Sequence, residues 1–206
     1  MSEGSLLLSL DRDLLEFGRT PLVFSSVRRT NLFANKNNKT LAETVRHRRY
    51  VGLSPRVIAS YSAYLDVRLG DFLVRLKTAG DPFYRNFLNR HGDRIYCEFR
   101  LGDRSVGPLK GLYCFVVGDD LRYIGKSIDS FAKRINQGYG QIHPKNCYRD
   151  GQSTNCHLNA LIAEVANEVS LYLHPMVDDE AIKRAECILI TNYNPDWNVQ
   201  LRTDAG

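Results

Sequence analysis

Gly111-Leu112-Tyr113-Cys114-Phe115-Val116-Val117-Gly118-Asp119-Asp120-Leu121-Arg122-Tyr123-Ile124-Gly125 is the stretch that decides the fold. Residues 112–117 are rich in strand formers. Gly118-Asp119-Asp120 has turn chemistry. Leu121-Arg122-Tyr123-Ile124 reads as a second short strand, so a β-hairpin is expected. After it, Ile128, Phe131, Ala132 and Ile135 recur at i, i+3, i+4 and i+7. That spacing marks an amphipathic helix, with Ser127 as its N-cap and Arg134 on the flank of its apolar stripe.

Working toward the C-terminus, residues 136–156 read as a long polar loop. Leu158, Leu161, Ile162 and Val165 return to helical spacing, with Ser153, Thr154 or Asn155 as the cap. Val169-Ser170-Leu171-Tyr172-Leu173 alternates like a third strand. Asp178-Asp179-Glu180 opens a last helix with charges suited to its N-terminus. In that helix Ile182, Ala185, Leu189 and Tyr193 form a stripe, and Glu186 falls inside it. A carboxylate on an inward face is costly unless it is paired or holds a metal, and the helix pattern leaves both open.

Toward the N-terminus the reading is less sharp. Leu6-Leu7-Leu8-Ser9-Leu10 opens either a helix or a strand. Asn35-Lys36-Asn37-Asn38-Lys39 reads as a loop. Thr40 and Glu43 have capping-box spacing, so a helix starting there is expected to carry Arg46, Arg48 and Arg49. Ser54-Pro55 marks another helix start. Val57, Ile58, Tyr61, Tyr64, Leu65 and Arg68 then repeat at helical spacing. Phe83, Tyr84, Phe87, Tyr96 and Phe99 read as core rather than as a stacking platform. Gly107-Pro108 is a break. The expected division is therefore 1–106, a basic and mainly helical extension, and 107–206, an α+β core with a small three-stranded, mostly antiparallel sheet flanked by helices.

Charge follows the same division. The chain has 206 residues and a formal net charge of +5. Residues 1–110 hold 19 Lys+Arg against 11 Asp+Glu, and residues 111–206 hold 9 against 12. A basic half beside a mildly acidic half fits a polyanion grip joined to a part that uses carboxylates. The composition, 43% hydrophobic and 25% charged, excludes collagen-like, mucin-like and wholly disordered classes. No apolar run approaches the roughly 20 residues of a membrane span, and no export signal is legible, so a cytoplasmic protein is expected. Five cysteines, an odd number without a C-x-x-C pair, argue for reduced thiols. Cys147, Cys156 and His157 match no common structural zinc spacing.

Gly111-Leu112-Tyr113, nine residues, then Tyr123-Ile124-Gly125, followed by Lys126, Arg134, Glu186 and Asn198 in that order, resembles the GIY-YIG nuclease family. The resemblance spans residues 111–198. It implies phosphodiester cleavage in double-stranded DNA with one divalent metal, Mg²⁺, which Mn²⁺ can replace. Tyr113 resembles the residue that activates the attacking water, and Glu186 the protein ligand of the metal. Arg134 would hold the scissile phosphate, Tyr123 and Lys126 would orient or activate water, and Asn198 would brace the site. Some members carry His or Tyr four residues after the arginine. Here that position is Gly138, which leaves Tyr139 and His143 as further candidates for the general base.

The polar segment that follows is the expected DNA-reading surface, through Tyr139, His143, Lys145, Asn155 and His157. Arg46, Arg48 and Arg49 are the expected backbone grip. The expected activity is that of a sequence-specific type II restriction endonuclease, working as a homodimer because one motif cuts one strand. The alternatives are a phage-type or repair nuclease of loose specificity, and a DNA-binding module without activity.

Overall fold

A computed structural model of the chain describes residues 4–36 and 38–199. Three strands come first: β1 (Ser5–Leu10), β2 (Asp13–Thr20) and β3 (Leu22–Arg29). Three helices follow: α1 (Leu41–Val45), α2 (Ser54–Tyr61) and α3 (Leu69–Thr78). Then come β4 (Tyr96–Leu101), β5 (Gly111–Val117), β6 (Asp120–Ser127) and a π-helix, Ala132–Tyr139. The chain closes with α4 (Ser153–Glu164), β7 (Val169–Pro175) and α5 (Asp179–Tyr193). These elements belong to two compact units interleaved along the chain. The first takes the described residues of Met1–Ser26, Glu98–Gln141 and Leu161–Gly206, the second those of Val27–Cys97 and Ile142–Ala160.

The first unit is built on an antiparallel sheet of five strands in the order β1-β2-β7-β5-β6. The β5–β6 hairpin forms as its sequence indicates, with Val117 opposite Asp120 and Gly118 in the left-handed region between them. At the other edge, Leu10 lies opposite Asp13, and Asp11 takes a positive φ in the two-residue turn. Gly18, Arg19 and Thr20 of β2 pair with Leu173, Tyr172 and Leu171 of β7. A core of Leu8, Phe17, Leu112, Cys114, Ile124, Ile182, Ala185 and Leu189 joins α5 to one face of this sheet.

This corrects the expected sheet and the expected extension. β7, β5 and β6 are three of five strands, and residues 5–29 are strands rather than part of a helical arm. The cause lies in burial. Leu8 and Phe17 are the buried apolar residues of β1 and β2, while Leu7 and Leu14 are 56% and 67% exposed. With apolar residues on both faces, strand alternation is blurred in the sequence. β3 pairs with β4 in a separate two-stranded sheet.

The second unit is held by an aromatic core that includes Phe33, Tyr50, Tyr61, Phe72, Phe83, Tyr84, Phe87, Tyr96 and Tyr148. Phe83 stacks on Tyr61 with centroids 4.9 Å apart, and meets Phe87 edge-on at 5.7 Å. The capping box at α1 is complete: Glu43 N–H donates to Thr40 Oγ1, and Thr40 N–H donates to Glu43 Oε2. The helix nevertheless ends at Val45, so Arg46, Arg48 and Arg49 lie in the turn beyond it. α2 begins at Ser54 with Pro55 in its first turn, and it stops at Tyr61, where a 3₁₀ turn interrupts the helical repeat. All five cysteines are free thiols. Among the described residues, no helix is long and apolar enough to cross a membrane.

Candidate active site

Tyr113 and Tyr123 stand on neighbouring strands of the first unit. The register sets Tyr113 opposite Gly125 and Phe115 opposite Tyr123, so the two tyrosines are diagonal neighbours on one face. Their rings stack with centroids 6.1 Å apart. Two glycines make this arrangement possible. A Cβ on Gly125 would lie 2.5 Å from the Tyr113 hydroxyl oxygen and 2.6 Å from Tyr123 Cε1. Gly111 has φ +145°, and a Cβ there would fall on the His174 carbonyl. The glycines of the two motifs are thus space requirements of the hairpin.

Arg134 arrives on the helix after β6. That helix starts later than its pattern indicates. Ile128 is exposed, and Ser130 is the residue whose Oγ accepts Lys133 N–H, at 3.2 Å. Ser127 Oγ instead donates to the Ser130 carbonyl. The helix is of the π type, and Gly140 N–H closes it on the Ile135 carbonyl at 2.6 Å. Five residues along an α-helix would place two side chains about 140° apart. The wider i→i+5 turn brings Arg134 and Tyr139 to the same side, with the Arg134 Cζ 5.9 Å from the Tyr139 ring centroid. Tyr139 is thus the residue that this helix sets beside Arg134.

The Tyr139 hydroxyl lies 2.7 Å from that of Tyr113 and 3.5 Å from that of Tyr123. All three phenols are buried. Burial raises the pKa of Tyr113 well above that of a free phenol, and the neighbouring phenols of Tyr139 and Tyr123 add to this; Arg134 opposes the rise without overcoming it. Tyr123 is raised in the same way, by burial, Tyr139 and the Glu186 carboxylate. Desolvation thus outweighs the lowering that the nearby Arg134 charge exerts on Tyr113. Arg134 stays cationic: burial works against its charge, but the oxygens of Tyr113, Tyr139 and Tyr123 outweigh it.

Glu186 is buried on α5 and forms an ion pair with Lys126 of β6. Lys126 lies opposite Leu112, and Ile124 opposite Cys114, which places this pair on the sheet face that α5 covers. The tyrosines occupy the other face. β6 is the edge strand, and the Glu186 charge acts on Tyr123 from the other face. Asn198 secures the same strand. Its Oδ1 accepts Ile124 N–H at 3.0 Å, and its Nδ2 donates to the Ile124 carbonyl at 2.8 Å. The buried side-chain amide thereby satisfies edge groups that a further strand would otherwise pair.

Among the described residues, no three His, Cys, Asp or Glu side chains gather as a metal cage. Glu186 is a lone hard-oxygen donor. Such a donor fits Mg²⁺, which keeps several waters and takes one or two carboxylates together with substrate phosphates. The Lys126 ammonium already holds Glu186 Oε2, so an ion bound there would share the carboxylate with a competing cation.

The remaining expected residues are dispersed. In the second unit, His143 Nδ1 accepts Lys145 N–H at the start of an exposed 3₁₀ turn. Asn155 is buried, its amide bonded to Gln152 at 2.9 Å. The His157 ring lies 4.4 Å from that of His91, whose pKa falls to about 4 through burial and the charges of His157, Arg90 and Arg94. Arg46, Arg48, Arg49 and Lys145 are exposed. The sequence reading passed over Arg149, which lines one open pocket with Arg48 and Arg49; its only linear signal was a basic residue between Tyr148 and Asp150.

Comparison of the chain with protein-family models, curated proteins and solved structures finds no match.

Proposed function

We propose that the chain is a metal-dependent endonuclease that hydrolyses phosphodiester bonds in double-stranded DNA. The observation that carries this reading is the joining of Tyr113, Tyr123 and Tyr139 through their hydroxyls beside the Arg134 guanidinium. A buried cluster of phenols needs no guanidinium for packing alone, and an arginine fork matches the oxygens of a phosphate. Arg134 binds the scissile phosphate and faces the charge that grows on it. The Tyr113 oxygen would accept a hydrogen bond from the attacking water and orient it, with Tyr139 and Tyr123 holding the hydroxyl in place; to take that water's proton it must first release its own phenol proton to solvent, a loss that the charge of Arg134 favours. Lys126 would orient water at the β6 edge. Glu186 holds the metal, and Asn198 fixes the strand carrying Tyr123 and Lys126. When bound, Mg²⁺ or Mn²⁺ supplies charge neutralisation and a more acidic water.

The activity is of the sequence-specific, type II restriction kind, and the working species is a homodimer, because a single constellation of this kind cuts one strand at a time. Digestion of a genome of known sequence with Mg²⁺ tests this. A discrete ladder with a dimeric mass by light scattering supports it. A smear from a monomer points to a nuclease of loose specificity, and intact DNA with tight binding points to an inactive DNA-binding module.

A further inference from the structure

In the second unit, three exposed arginines from two distant segments line one open pocket of about 510 Å³: Arg48, Arg49 and Arg149. The framework beneath them is buried and hydrogen-bonded. Tyr50, next to Arg49, is buried, stacks on Phe87 and donates its hydroxyl to Asp150 Oδ1 at 2.6 Å. Asp150 is the neighbour of Arg149, so this one hydrogen bond ties the two arginine-bearing segments together. Arg149 is fixed twice more, by its N–H on the Phe87 carbonyl at 3.1 Å and by its guanidinium on the Asn86 carbonyl at 3.2 Å.

The surroundings are cationic. Lys36 lies 3.9 Å from Asp150 and 4.2 Å from the Tyr148 ring centroid. Its pKa is lowered, by burial first and then by the charges of Lys145 and Lys39, against the pull of Asp150. Asp150 is already engaged by Tyr50 and Lys36. Among the described residues, no carboxylate forms an ion pair with Arg48, Arg49 or Arg149. Like charges held together without counterions repel one another, and a multivalent anion relieves that repulsion.

We infer that Arg48, Arg49 and Arg149 form a clamp for the sugar–phosphate backbone of duplex DNA, which anchors the substrate without reading its sequence. Guanidinium forks grip phosphate oxygens in pairs, and phosphate contacts set position rather than specificity. The inference rests on the nuclease reading only for the choice of DNA as the polyanion. The clamp and the catalytic constellation use different residues, so their failures are separable.

The test uses the full chain without divalent metal, so that the DNA stays intact. Binding of a fluorescent 30-base-pair duplex is followed across a salt series. Relative to the parent, R48A/R49A/R149A is expected to flatten the slope of log K against log salt by about 2 to 3, and to lose at least tenfold in affinity at about 0.1 M salt, equally for unrelated sequences. R48K/R49K/R149K is expected to keep the parent's slope, because it keeps the charge. An alanine variant with the parent's slope overturns the clamp, as does a lysine variant that loses the slope as fully as the alanine one. Binding to phosphatidylserine vesicles but not to DNA also overturns it. Cutting by the parent in Mg²⁺, scored separately, decides the nuclease reading whichever way the clamp falls.

Discussion

The hydroxyls of Tyr113 and Tyr139 lie 2.7 Å apart, although one residue belongs to an interior strand of a sheet and the other ends a π-helix. The contact depends on helix type. An α-helix would carry Tyr139 away from Arg134, and the bond to Tyr113 would be lost with it. The extra residue in the turn converts a surface position into the hub of three phenols.

Tyr139→Phe removes that hub while keeping the ring in the core. Cleavage is expected to slow by about 10²-fold, the scale of a lost proton-transfer group, with DNA affinity changed by less than about threefold. Single-turnover rates and gel-shift affinity check this. A rate within threefold of the parent would make Tyr139 a packing residue.

Gly125→Ala drives a methyl group into the Tyr113 hydroxyl and the Tyr123 ring, with approaches of 2.5 and 2.6 Å. The overpacking is expected to cost about 1–3 kcal/mol in urea unfolding, and cleavage should fall with it. Gly52→Ala is the control. Its Cβ would meet nothing within 4 Å, and a change below about 0.5 kcal/mol is expected.

Stability should fall in alkali. Tyr113 and Tyr123 are held above the ordinary phenol value in the fold, so the folded state resists losing their protons. That contribution is fully present below a pH of about 10 and is lost as pH rises through the raised folded values. Urea midpoints from pH 7 to 11 are expected to decline above about pH 10, and less steeply in Tyr113→Phe/Tyr123→Phe. An unchanged decline in that variant would place the titration on other tyrosines.

What could be read from the sequence followed how local each signal was. The hairpin at 111–127 declared itself because strand formers and a Gly-Asp-Asp turn stand side by side. Glu186 declared itself by its place in an apolar stripe, and it is buried and paired. The capping box at Thr40 was equally local, but it marks where the helix begins and not where it ends, at Val45. β1 and β2 were hidden because their second face carries exposed leucines. The π-turn was hidden because the apolar spacing of Phe131, Ala132 and Ile135 is the same as that of an α-helix. Arg149 was hidden because a hydrogen bond spanning 100 residues brings it to Arg49.

Whether Glu186 holds the metal of a DNA-cutting site is decided by the cleavage activity of Glu186→Gln. The substitution keeps the shape of the side chain and removes the charge that pairs with Lys126. Supercoiled plasmid is incubated with parent and variant in Mg²⁺, and binding to the same DNA is measured without metal. Cutting by the parent is expected, with loss of more than about 10²-fold in the variant and binding retained within about threefold. Cleavage by the variant within about tenfold of the parent, or a parent that binds DNA and leaves it intact in Mg²⁺ and in Mn²⁺, would contradict it.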